Sequence, residues 1–178
     1  YVDIMCQVTR ARPVAVHAVG ARLTSDIAAS MYNYGHLHIT FDDGSVGWYE
    51  AGWGPMMSET AHFVKDMIGP HGCVSIVASE STEATTRSSD HDTHTKTNAL
   101  RVHHAAVDAE GRFAKPDELI STEDEPGHQE LCEREQRLFL RAIRGEIDLA
   151  EHHEAAINSL GIVLAADESV RTGEVVRL

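Results

Sequence analysis

The chain has 178 residues, 42% hydrophobic and 24% charged, which fits one globular domain and argues against a disordered polar chain. Its formal net charge is −13 with no offsetting basic patch, so nucleic acid is not an expected partner. No apolar run approaches the ~18 residues that a membrane helix needs, and a membrane partner is not expected either.

"YVDIMCQVTR" opens the chain with Val2, Ile4, Met5 and Val8 on one helical stripe, and the helix is expected to end at Pro13, which holds Arg12 extended. Val14, Val16 and Ala18 then alternate with His17 and Val19 as a strand. In "GHLHITFDDGSVGWYEAGWG", Leu37, Ile39 and Phe41 face one way and His36, His38 and Thr40 the other. Asp43-Gly44 supplies the turn, and Val46, Trp48 and Tyr49 begin the return strand. A second hairpin is expected around Gly69-Pro70-His71-Gly72 in "AHFVKDMIGPHGCVSIV". The stretch 79–97 is polar and aperiodic and reads as a long loop or insert. Leu100 to Val107 alternates again and turns at Asp108-Ala109-Glu110-Gly111.

The last third changes period. Leu131, Glu135, Leu138 and Ala142, with Cys132, Phe139 and Ile143, describe an amphipathic helix closed by Gly145. Asp148 and Glu151 have the spacing of a capping box for the next helix. That helix, "AAINSLGIVLAADESV", is apolar almost all round, which predicts burial against a sheet. Gly161 in its middle costs roughly 1 kcal/mol against Ala, so a close approach of another element is expected there. Thr172-Gly173 ends it, and Val175, Val176 and Leu178 suggest a final strand. Strands followed by helices predict an α+β fold, a predominantly antiparallel β-sheet with helices packed on one face. The open face would then meet solvent or a partner in an oligomer.

Chemistry is harder to read. Twelve His invite a metal, and "DHDTHT" gathers His91 and His94 with Asp90 and Asp92. The spacing is not that of a helical ligand pair, so a solvated loop is the plainer reading, and no metal site is assigned. His103/His104 and His152/His153 are adjacent pairs whose side chains diverge in regular structure. Gly-x-Ser-x-Gly is absent. Gly52-Trp53-Gly54 has Met57 where a dinucleotide fingerprint needs its third glycine. Cys6, Cys73 and Cys132 are odd in number and dispersed, which argues against a disulfide framework and makes the cytoplasm the expected location. Cys73, in a strand, is expected to be a small buried hydrophobe.

"FLRAIRGEIDLAEHHEAAINSLGIVLAADESVRTGEVVRL" resembles the C-terminal end of the glucose-fructose oxidoreductase/inositol dehydrogenase/MocA family, at Phe139, Ala142, Ile143, Gly145, Asp148, Ala156, Leu160, Ala165, Ala166, Ser169, Gly173 and Val175. "FDDGSVG" and "VKDMIGPHGCVSI" are similar to two hairpins of that family, and "YVDIM" followed by "RPVAVHAVG" is similar to its helix and first sheet strand. The resemblance implies that residues 1–178 form a single C-terminal substrate-binding and oligomerisation domain of a longer NAD- or NADP-dependent oxidoreductase acting on a sugar, polyol or related hydroxy compound. It implies that the Rossmann domain, the catalytic Lys of a Glu-Lys-Pro motif and a catalytic His just before Tyr1 lie outside this chain. Asp3 would support the site from its helix. On that reading the chain alone holds no cofactor and no catalytic residue, and it assembles as a homodimer. Trp53, Glu59, His62 and His128 are the expected substrate-side residues, since an indole face with carboxylate and imidazole groups suits a polyol. The alternatives are a metal-binding module built on His91 and His94, or a purely structural dimerisation domain.

Overall fold

The structure, a computed structural model, describes residues 1–54, 65–77, 97 and 99–178. Its elements in chain order are α1 (Val2–Thr9), β1 (Pro13–Ala21), β2 (Tyr34–Phe41), β3 (Val46–Gly52), β4 (Asp66–Gly69), β5 (Gly72–Ile76), β6 (Ala99–His104), β7 (Glu118–Ser121), α2 (His128–Ile143), α3 (Ala150–Thr172) and β8 (Val176–Arg177). This is the α+β, antiparallel class expected, with the strands divided between two four-stranded sheets, β3-β2-β1-β8 and β4-β5-β6-β7. The chain forms two compact units, Tyr1–Met57 with Ala142–Leu178, and Ser58–Arg141.

In the first unit the period of two decides what is buried. β1 pairs with β2 in the register Val16↔Ile39 and Ala18↔Leu37, so Val16, Ala18, Leu37, Ile39 and Phe41 share one face. α3 lies over that face through Ile162, Ala165, Ala166 and Ser169, a stripe at i, i+3, i+4 and i+7. Two alanines in the stripe let the helix approach closely. At Gly20 the fit is tight enough that a Cβ would stand 2.8 Å from Tyr32 and 2.9 Å from Val170. Cys6 of α1 completes the cluster, and Phe41, Ile39, Ile162 and Val16 are almost wholly withdrawn from water. Each such side chain contributes about 1.5–3 kcal/mol of burial.

One buried polar side chain, Ser169, and one exposed turn carboxylate, Asp43, organise the backbone around this core. β8 pairs with β1 only at Ala15 and Val16. Beyond it, the Ala18 N–H donates to Ser169 Oγ at 2.9 Å, and the same hydroxyl donates to the Glu174 carbonyl at 2.6 Å. Ser169 thus takes the place of a missing strand residue. The β2–β3 turn places Gly44 at φ 85°, and Asp43 accepts from the Ser45 N–H and hydroxyl at 2.9 and 2.6 Å.

The second unit has the same strand pattern without the burial. Val74 faces Val102 and Ile76 faces Leu100 across β5 and β6, yet no described residue of this unit is buried. His103 and His104 point to opposite faces, as expected, and pair with Asp117 at 2.8 Å and Glu118 at 2.7 Å. The turn after Val107 is also as expected: Gly111 sits at φ 78°, and Asp108 accepts from the backbone of Glu110 and Arg112. Cys73 is half-buried rather than buried, since no described helix packs on its strand; all three cysteines are free thiols.

Four local expectations need correction. α1 ends before Pro13, at Arg10, whose φ of 54° lets its N–H reach the Cys6 carbonyl at 2.9 Å. Asp148 and Glu151 do not close a capping box: α3 is capped at Leu149, and Asp148 Oδ1 accepts the Ala150 N–H at 2.9 Å. α3 buries one stripe only, with Ile157, Leu160, Val163 and Leu164 exposed on its other side. Among the described residues Gly161 meets no close neighbour, and a Cβ there would find only Leu178 Cδ2 at 3.9 Å.

Candidate functional site

The strongest polar construction lies at the corner of the first unit where β3 ends. Asn33 is 2% exposed and holds the corner together. Its Oδ1 accepts the Leu23 N–H at 2.9 Å and its Nδ2 donates to Thr24 Oγ1 at 3.0 Å. Its backbone N–H reaches the Ala21 carbonyl at 3.2 Å, and its own carbonyl accepts the Trp53 N–H at 2.9 Å. The main chain of Trp53 is therefore fixed while the indole remains 54% exposed. Tyr34, paired with Gly52, donates its hydroxyl to Glu50 Oε1 at 2.6 Å. That bond to a carboxylate holds the phenol proton and pushes the Tyr34 pKa up. An exposed indole with a phenol–carboxylate pair at one sheet corner offers an apolar face and polar groups for a hydroxylated ligand.

A second construction joins α1 to α3 in the same unit. Asp3 accepts from Gln7 Nε2 at 2.6 Å through one oxygen and from Ser159 Oγ at 3.3 Å through the other. Both carboxylate oxygens are engaged, which suits a residue that fixes helix position rather than one that carries a proton. Tyr1 stacks on Tyr49 of β3 with centroids 5.3 Å apart and planes at 25°. Burial, and next the Tyr1 phenol, push the Tyr49 pKa up.

The four expected substrate-side residues have separate placements. Trp53 lies at the corner just described. Glu59 and His62 fall outside the described residues, as do His91 and His94 and most of the 79–97 stretch. His128 belongs to the second unit, at the start of α2, with Nε2 3.6 Å from the Cys132 sulfur one turn on. Asn33, Tyr34 and Glu50 escaped sequence reasoning. An Asn directly ahead of an alternating strand was the available signal for the first, since Asn side chains bond to nearby backbone.

Among the described residues no group of three or more His, Cys, Asp or Glu could hold a metal ion, and no helix is long and apolar enough to cross a membrane. A dinucleotide needs a strand, a glycine-rich turn and a helix N-terminus in succession. The one strand-to-helix passage among the described residues, β7 to α2, carries a single glycine, Gly127. The described residues do not fit that cofactor.

No protein-family profile and no curated protein sequence matches the chain. Solved structures do. An oxidoreductase from Thermotoga maritima superposes with a TM-score of 0.63 at 17% identity, over 99% of this chain and 44% of its own. The aldose-aldose oxidoreductase from Caulobacter crescentus, complexed with glycerol, gives 0.62 at 16%, over 99% and 44%. The WlbA dehydrogenase from Bordetella pertussis, in complex with NADH and UDP-GlcNAcA, gives 0.60 at 16%, over 100% and 42%. The chain thus spans less than half the length of each of these three proteins. Its fold is that of a domain of the glucose-fructose oxidoreductase/inositol dehydrogenase/MocA type of oxidoreductase.

Proposed function

We infer that this chain is the C-terminal substrate-binding and oligomerisation domain of an NAD- or NADP-dependent oxidoreductase of that type, acting on a sugar, polyol or related hydroxy compound. The observation that carries the reading is the superposition of nearly the whole chain on less than half of proteins that include a dehydrogenase complexed with NADH and UDP-GlcNAcA. In such a reaction the nicotinamide takes hydride from a carbinol carbon. This chain contributes the surface that orients the substrate, and the cofactor belongs to a domain outside it.

On this reading Trp53 lays its indole against the carbon skeleton of the substrate, and Glu50 with Tyr34 offers the nearby acceptor and donor. Glu59, His62 and His128 are further substrate-side residues. Asp3 holds α1 against α3. The outer face of the β3-β2-β1-β8 sheet, away from α3, joins two copies in a homodimer by an isologous contact.

Calorimetric titration tests the assignment. The isolated chain is expected to take up neither NADH nor NADPH and to show no dehydrogenase activity. Micromolar dinucleotide binding would overturn it. The coding sequence upstream of Tyr1 is the second check, where a strand–Gly-x-Gly-x-x-Gly–helix unit, a Glu-Lys-Pro and a final His are expected.

A further inference from the structure

We propose that His128 and Cys132 of α2 form a zinc-binding pair whose remaining coordination positions are open to water. The inference goes beyond the proposed function and stands without it. Two ligands on one helix chelate an ion when they are four residues apart, because that spacing sets their side chains over one another on the same face. "HQELC" has this spacing, which His91 and His94 lack. The helical turn that carries the pair is formed and braced. The Leu131 N–H reaches the Gly127 carbonyl at 3.1 Å, and the ion pairs Glu130–Arg134 and Glu133–Arg137, at 2.6 and 2.5 Å, support the adjoining faces.

The separation of the two donor atoms selects the ion. His128 Nε2 stands 3.6 Å from the Cys132 sulfur. Zinc bonds sulfur at about 2.3 Å and imidazole nitrogen at about 2.0–2.1 Å, and two such bonds at the tetrahedral angle hold the donors about 3.5 Å apart. The pair already has that bite. Donors opposed in line, as a two-coordinate soft cation takes them, would stand about 4 Å or more apart.

Access and charge agree with this occupant. His128 is exposed and Cys132 is a half-buried free thiol, so an ion can reach both from water. The thiol gives its proton to solvent as the zinc–sulfur bond forms. The formal charge of −13 draws a dication toward the chain. No third His, Cys, Asp or Glu completes the set among the described residues, which leaves two positions of a tetrahedral ion to water. Two ligands supply about half of what four supply, so a dissociation constant on the order of 10 μM is expected.

Titration of the reduced, metal-free full chain with Co(II), then with Zn(II) to displace it, tests this. Twelve His give a dication other weak contacts, so the readout is the near-ultraviolet charge-transfer band that only sulfur ligation produces. One equivalent of cobalt should bring up the band and one of zinc should remove it. Cys132→Ser should abolish the band, His128→Gln should weaken binding by about tenfold or more, and Cys73→Ser should change neither, with circular dichroism confirming that each variant is folded. No band in the native chain overturns the proposal and leaves the contact as a thiol–imidazole hydrogen bond. A band that survives Cys132→Ser and is lost in Cys73→Ser overturns it by moving the metal to the other thiol. Unchanged affinity in His128→Gln overturns the pair.

Discussion

The two four-stranded sheets share antiparallel pairing and similar alternation, yet among the described residues only one has a buried core. In the β3-β2-β1-β8 sheet, Val16, Ile39 and Phe41 lie beneath Ile162 and Ala165 of α3. In the β4-β5-β6-β7 sheet, the comparable Val74, Ile76, Leu100 and Val102 stay half-buried, and α2 buries none of its residues. Among the described residues the strands are not what differs; the covering helix is. A sheet face gains its hydrophobic stabilisation when a second layer excludes water from it, however good the ladder is.

The largest effect should separate the units most clearly. Phe41→Ala removes a 2%-exposed ring between sheet and helix and should cost about 3–5 kcal/mol. Ile68→Ala, at 83% exposure in β4, should change stability by no more than about 0.5 kcal/mol. Denaturant melts of the two variants check this, and similar losses in both would mean that the second sheet is as well covered as the first. Next in size is Ser169→Ala, which leaves the buried Ala18 N–H and the Glu174 carbonyl without their bonds. It should cost about 1–3 kcal/mol, with faster amide exchange at Ala18 than at Val16.

How far the sequence could be read follows the same division. The first hairpin was legible down to its faces, since alternation, Asp43-Gly44 and the buried set Leu37, Ile39 and Phe41 all agree. The family resemblance, carried by spacings such as Gly145 to Gly173, anticipated the fold that the superpositions show. The short β7 was missed because Glu-Leu-Ile-Ser has no period long enough to register. The exposed side of α3 was misjudged for a physical reason: apolar composition records what a helix can bury, and says nothing of which partner is present. The site was less legible still, since the Trp53 main chain reaches Asn33, and Tyr34 reaches Glu50, only through the pairing of β2 with β3.

Gly161 turns that misjudgement into a measurement. With no element close to it, an added Cβ would make an ordinary 3.9 Å contact with Leu178 while removing the helix cost of glycine. Gly161→Ala should therefore stabilise the chain by about 0.5–1 kcal/mol, read as a higher melting temperature. Destabilisation would show that something does press on that turn of α3 in solution.

The smallest effect concerns a device that both units share. Asp43 in the first unit accepts hydrogen bonds from the Ser45 hydroxyl and then its N–H, and these hold its carboxyl below the usual carboxylate range. Asp108 in the second is held down by the Arg112 N–H and next by the Arg112 side chain. With folded pKa values below the unfolded value of about 3.9, the stabilisation from each is fully present above that value and is lost as pH falls through the folded one. Both groups are solvent-exposed, so the gain is small and is best read directly, by carboxyl carbon shifts in an NMR titration between pH 2 and pH 6. Midpoints below the ordinary aspartate value are expected for both residues in the native chain. In Phe41→Ala under conditions where the first unit has melted, Asp43 should return to the ordinary value. If Asp108 keeps its depression there, the second unit folds without the first; if both return together, the units unfold as one despite their unequal cores.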